Sequence, residues 1–399
     1  MVRATKHVWQ LAAAGLILGL LATGFAGRSG AGEPAGDVSV IDGGSQVHPT
    51  IYECTRGHKV ENHLITLDSG AVKYGFRYSG CLDPSHGDQR PSAEGNFGMP
   101  APSSANWYWG GFLYISVKGK EATRCPLSDL RVTERGRRGA FQILWAHPDA
   151  DVGVRLMMLP GANHVMAHVV WKPRPQAAVT SVAARLVCYP SFFTTSRHRR
   201  GDRHCQTPRI DKHEPETLKL QPDKDTYLYF YDTVFDVAKG EGDGPCAALV
   251  APGAVQSGRV QIGDYAVTTQ LTFKPEAGQA RLAFYDFTGR KNAEAEAYLK
   301  AHAVEDLSRL VEADFRPEAV RQLQADRLKA EATRLLAAAA DDAKPYQAKV
   351  EGFLARVAAL KPSAEQGDWK AEAELATVLA DSADLFWKLR AMAVLNGSR

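Results

Sequence analysis

Two stretches of the chain concentrate side chains with chemistry to offer. The first runs from Asn96-Phe97-Gly98-Met99 to Asn106-Trp107-Tyr108-Trp109-Gly110-Gly111-Phe112, three adjacent aromatic rings behind a Pro/Ser-rich segment. Sugar rings carry apolar C–H patches that stack on flat aromatic faces, and nearby Asn and Asp supply hydrogen bonds that select one sugar. Trp107, Tyr108 and Trp109 are therefore candidates for a ligand platform. In an extended strand Trp107 and Trp109 point to one side and Tyr108 to the other, so the tryptophan pair equally suits the core of a sandwich.

The second stretch is Arg197-His198-Arg199-Arg200-Gly201-Asp202-Arg203-His204, with four Arg and two His in eight residues. Guanidinium forks match carboxylate, sulfate and phosphate oxygens bidentately, which makes Arg197, Arg199, Arg200 and Arg203 candidates for binding an anionic polysaccharide or an anionic lipid. The bland alternative is a solvated loop held open by its own charge. Cys188 and Cys205 flank it, so a disulfide between them would close and pre-order the loop.

Other constellations are weaker. His198, His204, Cys205 and His213 lie close in sequence, but their spacing fits no metal-ligand pattern. His164 and His168 share one face of a strand without further ligands. No Gly-x-Ser-x-Gly elbow, phosphate-binding loop or His-Glu-x-x-His occurs, so no local motif announces nucleophilic or metal chemistry. A glycosidase pair leaves no local signature, and Asp232, Asp236, Glu214 and Glu216 are available for one. Lyase or epimerase chemistry on a sugar acid needs a base beside a carboxylate-neutralising Arg, which Arg155, His168 and Arg185 would supply if their strands are neighbours.

These residues need a scaffold, and the chain divides into two textures. From about Val38 to Phe287, short runs rich in β-branched and aromatic residues alternate with Gly, Pro, Asn and Asp. The clearest strands are 71–78, 112–117, 140–145, 152–159, 164–171, 179–189, 226–231, 247–250, 265–273 and 280–287. Pro160-Gly161-Ala162-Asn163 reads as a hairpin turn between two of them. A dozen strands without intervening helices predict antiparallel pairing. After Gly289, Ala, Glu, Leu and Arg dominate, and helical stripes run through 292–310, 317–339, 346–360 and 375–392, with Asn292 as first cap and Lys361-Pro362 as a stop. The expected class is α+β: a large antiparallel β-sandwich domain over 45–289, followed by a C-terminal antiparallel helical segment over 290–399.

The N-terminus carries Arg3 and Lys6 before an apolar core at 11–21, with small residues at Gly24 and Ala26. That is a signal peptide over 1–26, followed by a flexible linker over 27–44, and it predicts a periplasmic or extracellular protein. No later stretch has transmembrane length. In an exported chain the even set Cys54, Cys81, Cys125, Cys188, Cys205 and Cys246 reads as a disulfide framework confined to the β domain. A formal charge of +3 gives no reason to expect nucleic acid, and no cofactor or metal is expected.

Together these features predict an exported envelope or secreted protein whose sandwich binds a carbohydrate, with an anionic polysaccharide suggested by the basic loop. Two other classes compete with it. One is a non-enzymatic envelope interaction protein whose helices bind a protein or form a homo-oligomer. The other is a carbohydrate-active enzyme: lyase, hydrolase or sugar epimerase.

Overall fold

The computed structural model describes residues 36–48, 60–81, 97–193 and 199–397. The expected signal peptide therefore lies outside the described residues. Two compact units are present, one spanning Ala35–Phe315 and the other containing Arg316–Arg399.

The first unit holds the strands. In chain order they are β1 (Ser39–His48), β2 (Val60–Asp68), β3 (Lys73–Cys81), β4 (Phe97–Ala101), β5 (Leu113–Val117) and β6 (Lys120–Glu121). Next come β7 (Leu127–Glu134), β8 (Gly139–Ala146), β9 (Ala150–Met158), β10 (His164–Pro173), β11 (Val182–Cys188), β12 (Arg203–Gln206) and β13 (Asp211–His213). The last six are β14 (Thr217–Leu220), β15 (Tyr227–Asp232), β16 (Cys246–Val250), β17 (Val255–Ile262), β18 (Val267–Phe273) and β19 (Gln279–Asp286). They build a four-stranded sheet ordered β1-β2-β3-β4, a nine-stranded sheet ordered β13-β12-β15-β16-β19-β10-β9-β8-β7, and a six-stranded sheet ordered β14-β17-β18-β11-β5-β6. Neighbours pair antiparallel, as the alternating patterns require. With the helices that follow, the class is α+β. β1 begins at Ser39, inside the segment read as linker.

Strand β18 shows why these residues form sheets. Val267, Thr269, Leu271 and Phe273 are buried while Thr268, Gln270 and Thr272 are half-exposed, the period of two that places one face inward. The large core lies between the sheets and includes Phe141, Trp145, Val154 and Trp171 facing Ile115, Leu186, Leu271 and Phe273. Strand β9 is buried on both faces because a helix covers its outer side. That helix, α1 (Asn292–Glu312), sets Ala295, Leu299, Ala303 and Leu310 against Met157, Met166, Leu249, Ala283 and Tyr285. The hairpin between β9 and β10 forms as expected, with Ala162 donating to the Leu159 carbonyl.

Asn292 does not cap α1. The Asp236 carboxylate accepts from the Asn292 backbone N–H at 3.2 Å, while the Asn292 side chain donates to the Asp232 carbonyl. An anion at a helix N-terminus satisfies its unpaired amides and its dipole. Together with the sheets, α1 belongs to the compact unit that ends at Phe315.

One buried carboxyl makes this unit's stability pH-dependent. Asp286, only 5% exposed, accepts from Asn106 Nδ2 at 2.7 Å, Thr288 Oγ1 at 2.7 Å, and the amides of Ser103 and Thr288. Burial lifts its pKa to about 6 even against those hydrogen bonds. The folded state thus favours the protonated acid, so this contribution is complete below the ordinary aspartate range and disappears as pH rises through about 6. A rise of that size corresponds to about 3 kcal/mol. Urea titrations from pH 4 to 7 should show Asp286→Asn losing that falling component of the stability profile.

The second unit is helical: α2 (Glu318–Arg321), α3 (Ala325–Ala339), α4 (Gln347–Glu365), α5 (Trp369–Asp381) and α6 (Ala383–Gly397). Its core joins Leu335, Val350, Phe353, Val357, Leu375, Val378, Phe386 and Leu389, largely the stripes visible in the sequence. Asp368 caps α5, accepting from the Lys370 and Ala371 amides. The stripe over 317–339 is broken into two helices. α4 runs through Pro362 to Glu365, because a proline in the last turn removes a single ladder bond.

Candidate functional site

The three adjacent aromatics part company in the structure. Trp107 is wholly buried: it bridges to Cys188, meets Phe230 and Phe284 nearly perpendicularly at 6.0 and 5.0 Å, and donates Nε1–H to the Tyr285 carbonyl at 2.9 Å. It is core and offers no face to a ligand, which corrects its place in the platform. Tyr108 and Trp109 follow in a turn and are half-buried. Two glycines permit that turn. A Cβ on Gly98 would stand 1.7 Å from the Trp109 carbonyl oxygen, and one on Gly110 would meet the Tyr108 ring at 2.8 Å.

Turned outward, Tyr108 joins rings from distant parts of the chain. Its centroid is 5.1 Å from Tyr189 and 6.1 Å from Phe193, and Trp109 stands beside it at 6.0 Å. Tyr189 contacts Phe193 at 4.8 Å and Tyr265 at 5.2 Å. Tyr189 is buried beneath the group, whereas Tyr265 is 55% exposed. The Arg77 guanidinium lies 4.4 Å over Trp109, and Arg185 lies 3.8 Å over the adjacent Tyr114 while pairing with Glu121 at 2.7 Å. Tyr189 follows β11, and Tyr265 sits in the tight turn between β17 and β18, closed by the Gly263 amide on the Ala266 carbonyl.

Arg203 is fully buried, contrary to its expected role in an exposed anion site. Its guanidinium donates to the carbonyls of Phe192 and Asp264, so one side chain ties together the loops that carry Phe193 and Tyr265. Burial pulls its pKa down, and the charges of Asp232 and Glu214 oppose that pull. The two other described arginines of this stretch are paired with carboxylates. Arg199 pairs with Glu241 at 2.6 Å and covers the Phe235 ring, and Arg200 pairs with Glu214 at 3.0 Å. Arg197 and His198 lie outside the described residues. The basic stretch is thus largely a set of ion pairs around a buried loop pin.

The disulfide expectation is corrected as well. Cys125, Cys188, Cys205 and Cys246 are buried free thiols, and no disulfide occurs among the described residues. Burial pushes the Cys205 and Cys246 thiols up, away from thiolate chemistry. Cys54 and the side chain of Cys81 lie outside what is described.

Beside Arg203 on β12, next to the edge strand β13, His204 stacks on Tyr231 at 4.7 Å and stands 3.3 Å from both Asp202 and Asp211. Tyr231 donates to Asp211 at 2.6 Å, and Thr233 donates to Asp202 at 2.6 Å. Burial opposes ionisation of Asp202, but the bonds from Thr233 and His204 prevail and hold it below its ordinary range. His213 and Glu216 border this cluster. No group of three metal-ligating side chains is assembled among the described residues. Asp232 accepts three backbone amides around the Val234 turn, so it and Asp236 serve the local backbone.

Arg155 and His168 are indeed cross-strand partners, while Arg185 belongs to the six-stranded sheet. Their work is structural. Arg155 donates to the Phe315 carbonyl at 2.8 Å and to Gln142 at 2.7 Å; Gln142 in turn donates to Asp129. Arg138 donates to the Asp314 carbonyl at 2.8 Å, and Arg281 donates to the carbonyls of Leu310 and Val311. Three guanidiniums therefore satisfy the carbonyls at and beyond the C-terminus of α1, where positive charge also complements the helix dipole. His168, under the Phe315 ring, has its pKa pushed down to about 4 by burial.

Sequence comparison finds no matching protein family and no matching curated protein. Solved structures with similar arrangements include an alpha-mannosidase from Enterococcus faecalis V583, with TM-score 0.35, 8% identity, and coverage of 60% of this chain and 31% of that one. The galactosidase domain of the alpha-galactosidase-sucrose kinase AgaSK matches with TM-score 0.34, 10% identity, and coverage of 57% and 41%. A putative aldose 1-epimerase from Escherichia coli K12 matches with TM-score 0.32, 7% identity, and coverage of 56% and 98%. The chain spans less than half the length of the first two.

Proposed function

We propose that the protein is exported and that its β-sandwich binds a carbohydrate on the aromatic surface formed by Tyr108, Trp109, Phe193 and Tyr265 over Tyr189. The supporting observation is the exposure of Tyr265 at the rim of this five-ring group, since isolated exposed rings are common but grouped ones on a pinned pair of loops are not needed for folding. Among the described residues, Arg77, Arg185, Arg199 and Arg200 are already engaged by carboxylates or rings, which favours a neutral glycan over a polyanion. Binding of the purified protein to a panel of neutral and anionic polysaccharides tests this reading. Tyr265→Ala should weaken binding to the preferred glycan about tenfold, equivalent to ~1.4 kcal/mol, and leave the unfolding midpoint in place. Affinity should change little with salt, because stacking is not screened. Absence of binding to every glycan, or binding that collapses in salt, overturns it.

A second reading rests on the helical unit, where Trp387, Val394 and Leu395 on α6 are 52%, 68% and 66% exposed. In this reading α6 binds a protein partner or a second copy. A chain ending at residue 315 would keep glycan binding and lose self-association, which sedimentation distinguishes.

A further inference from the structure

The β1–β2 hairpin places three residues in a relation that their sequence positions conceal. Asp42 pairs with Ile65 and Ser45 with His63, so Gly43 and Gly44 together face Leu64. In a regular strand residues three apart point to opposite sides; one extra residue restores them to the same side. Gly44 takes the extra residue at φ +65°, a conformation that costs glycine little. Asp42 and Ser45 therefore both reach His63. Ser45 Oγ lies 3.4 Å from His63 Nδ1, and Asp42 Oδ1 lies 2.7 Å from His63 Nε2. The Gly44 amide donates to the same Asp42 oxygen at 3.0 Å and fixes the carboxylate.

Ser45 and His63 border a hollow of about 320 Å³ that is also lined by Glu61, Tyr78, Gly80 and by Leu127 and Leu130 of β7. A nucleophile, a base and an orienting carboxylate beside a small, partly apolar hollow are the side chains with which acyl transfer begins. We propose that Ser45 is a nucleophile with His63 as its base and Asp42 as the positioning residue, and that the hollow accepts short-chain O-acyl esters. Its size suits a short acyl chain, not a polymer.

With its proton on Nε2 and given to Asp42, His63 accepts at Nδ1. Ser45 Oγ bonds to the ester carbonyl carbon and its proton passes to Nδ1. The bond from that carbon to the alcohol oxygen then breaks, and the alcohol leaves with the proton from Nδ1. Water adds to the acyl-enzyme, giving a proton to Nδ1. The carbon–Oγ bond breaks, the acid departs, and Ser45 regains its proton. The net change is ester plus water to acid plus alcohol. An exposed site with a half-screened carboxylate sustains only modest turnover.

Reactivity separates catalysis by these residues from mere bracing of the bulge. The full chain is treated with a fluorophosphonate and its peptides are weighed, while hydrolysis of p-nitrophenyl acetate is followed in parallel. Ser45 should carry the adduct, and Ser45→Ala should abolish both signals. His63→Ala should slow both by about 100-fold. Asp42→Asn should lower kcat about tenfold with KM unmoved, as expected where orientation and not binding is lost. Deleting Gly44 returns Ser45 to the opposite side and should remove labelling while the circular dichroism spectrum persists. A folded protein that yields no Ser45 adduct, or one labelled equally fast in His63→Ala, overturns the proposal. Glycan binding is unaffected in either case.

Discussion

Arg203→Met should destabilise the sheet-bearing unit by about 3–5 kcal/mol, the usual cost of removing one partner from a buried charge group. The arginine is fully buried, and Asp232 and Glu214 are its nearest opposing charges. Methionine fills much of the volume but removes the charge that opposes both carboxylates, leaving Glu214 with Arg200 alone and Asp232 with its backbone amides, along with two loop carbonyls without donors. Glycan affinity should fall even in conditions where the variant stays folded, because the loops bearing Phe193 and Tyr265 lose their common pin. Urea titration with binding measured below the transition checks both effects. A loss under 1 kcal/mol would mean that water reaches those carboxylates.

Trp107→Ala should cost about 3–5 kcal/mol through the cavity it opens, with the loss of its indole hydrogen bond to the Tyr285 carbonyl in addition. Its neighbour Tyr265, more than half exposed, should give the opposite pattern on truncation: intact stability and weakened binding. Thermal unfolding of the two variants beside their glycan isotherms therefore separates core from surface among aromatic residues that look alike in the sequence. If Trp107→Ala kept its midpoint, the edge-on packing against Phe230 and Phe284 would not be what holds this region together.

Much of the scaffold was legible because it rests on local periodicity. Ten strands and most of the helical stripes follow from side-chain alternation that any solvent-facing sheet or helix must show. The short strands β12, β13 and β14 were not, since three or four residues carry no period. The site was harder still. Tyr189, Phe193 and Tyr265 meet only because β11 and the β17–β18 turn converge in space, and no pattern along the chain records that. The clearest misreadings have one cause. Arg203 and Trp107 belong to residue types that serve equally on a surface and in a core, and only burial distinguishes the two. The Asp42–Ser45–His63 arrangement was invisible for a different reason: a single inserted residue reverses the parity by which faces are assigned.

The clamp formed by Arg138, Arg155 and Arg281 has a mechanical consequence. It grips backbone carbonyls of residues 310–315, the last stretch before the chain passes to the helical unit. A pull on that unit would reach the sheet there, loading several guanidinium contacts together across neighbouring strands in place of peeling one helix from its end. Extension at constant force would then register a single high-force rupture at residues 310–315, after which α1 would strip away with little further resistance.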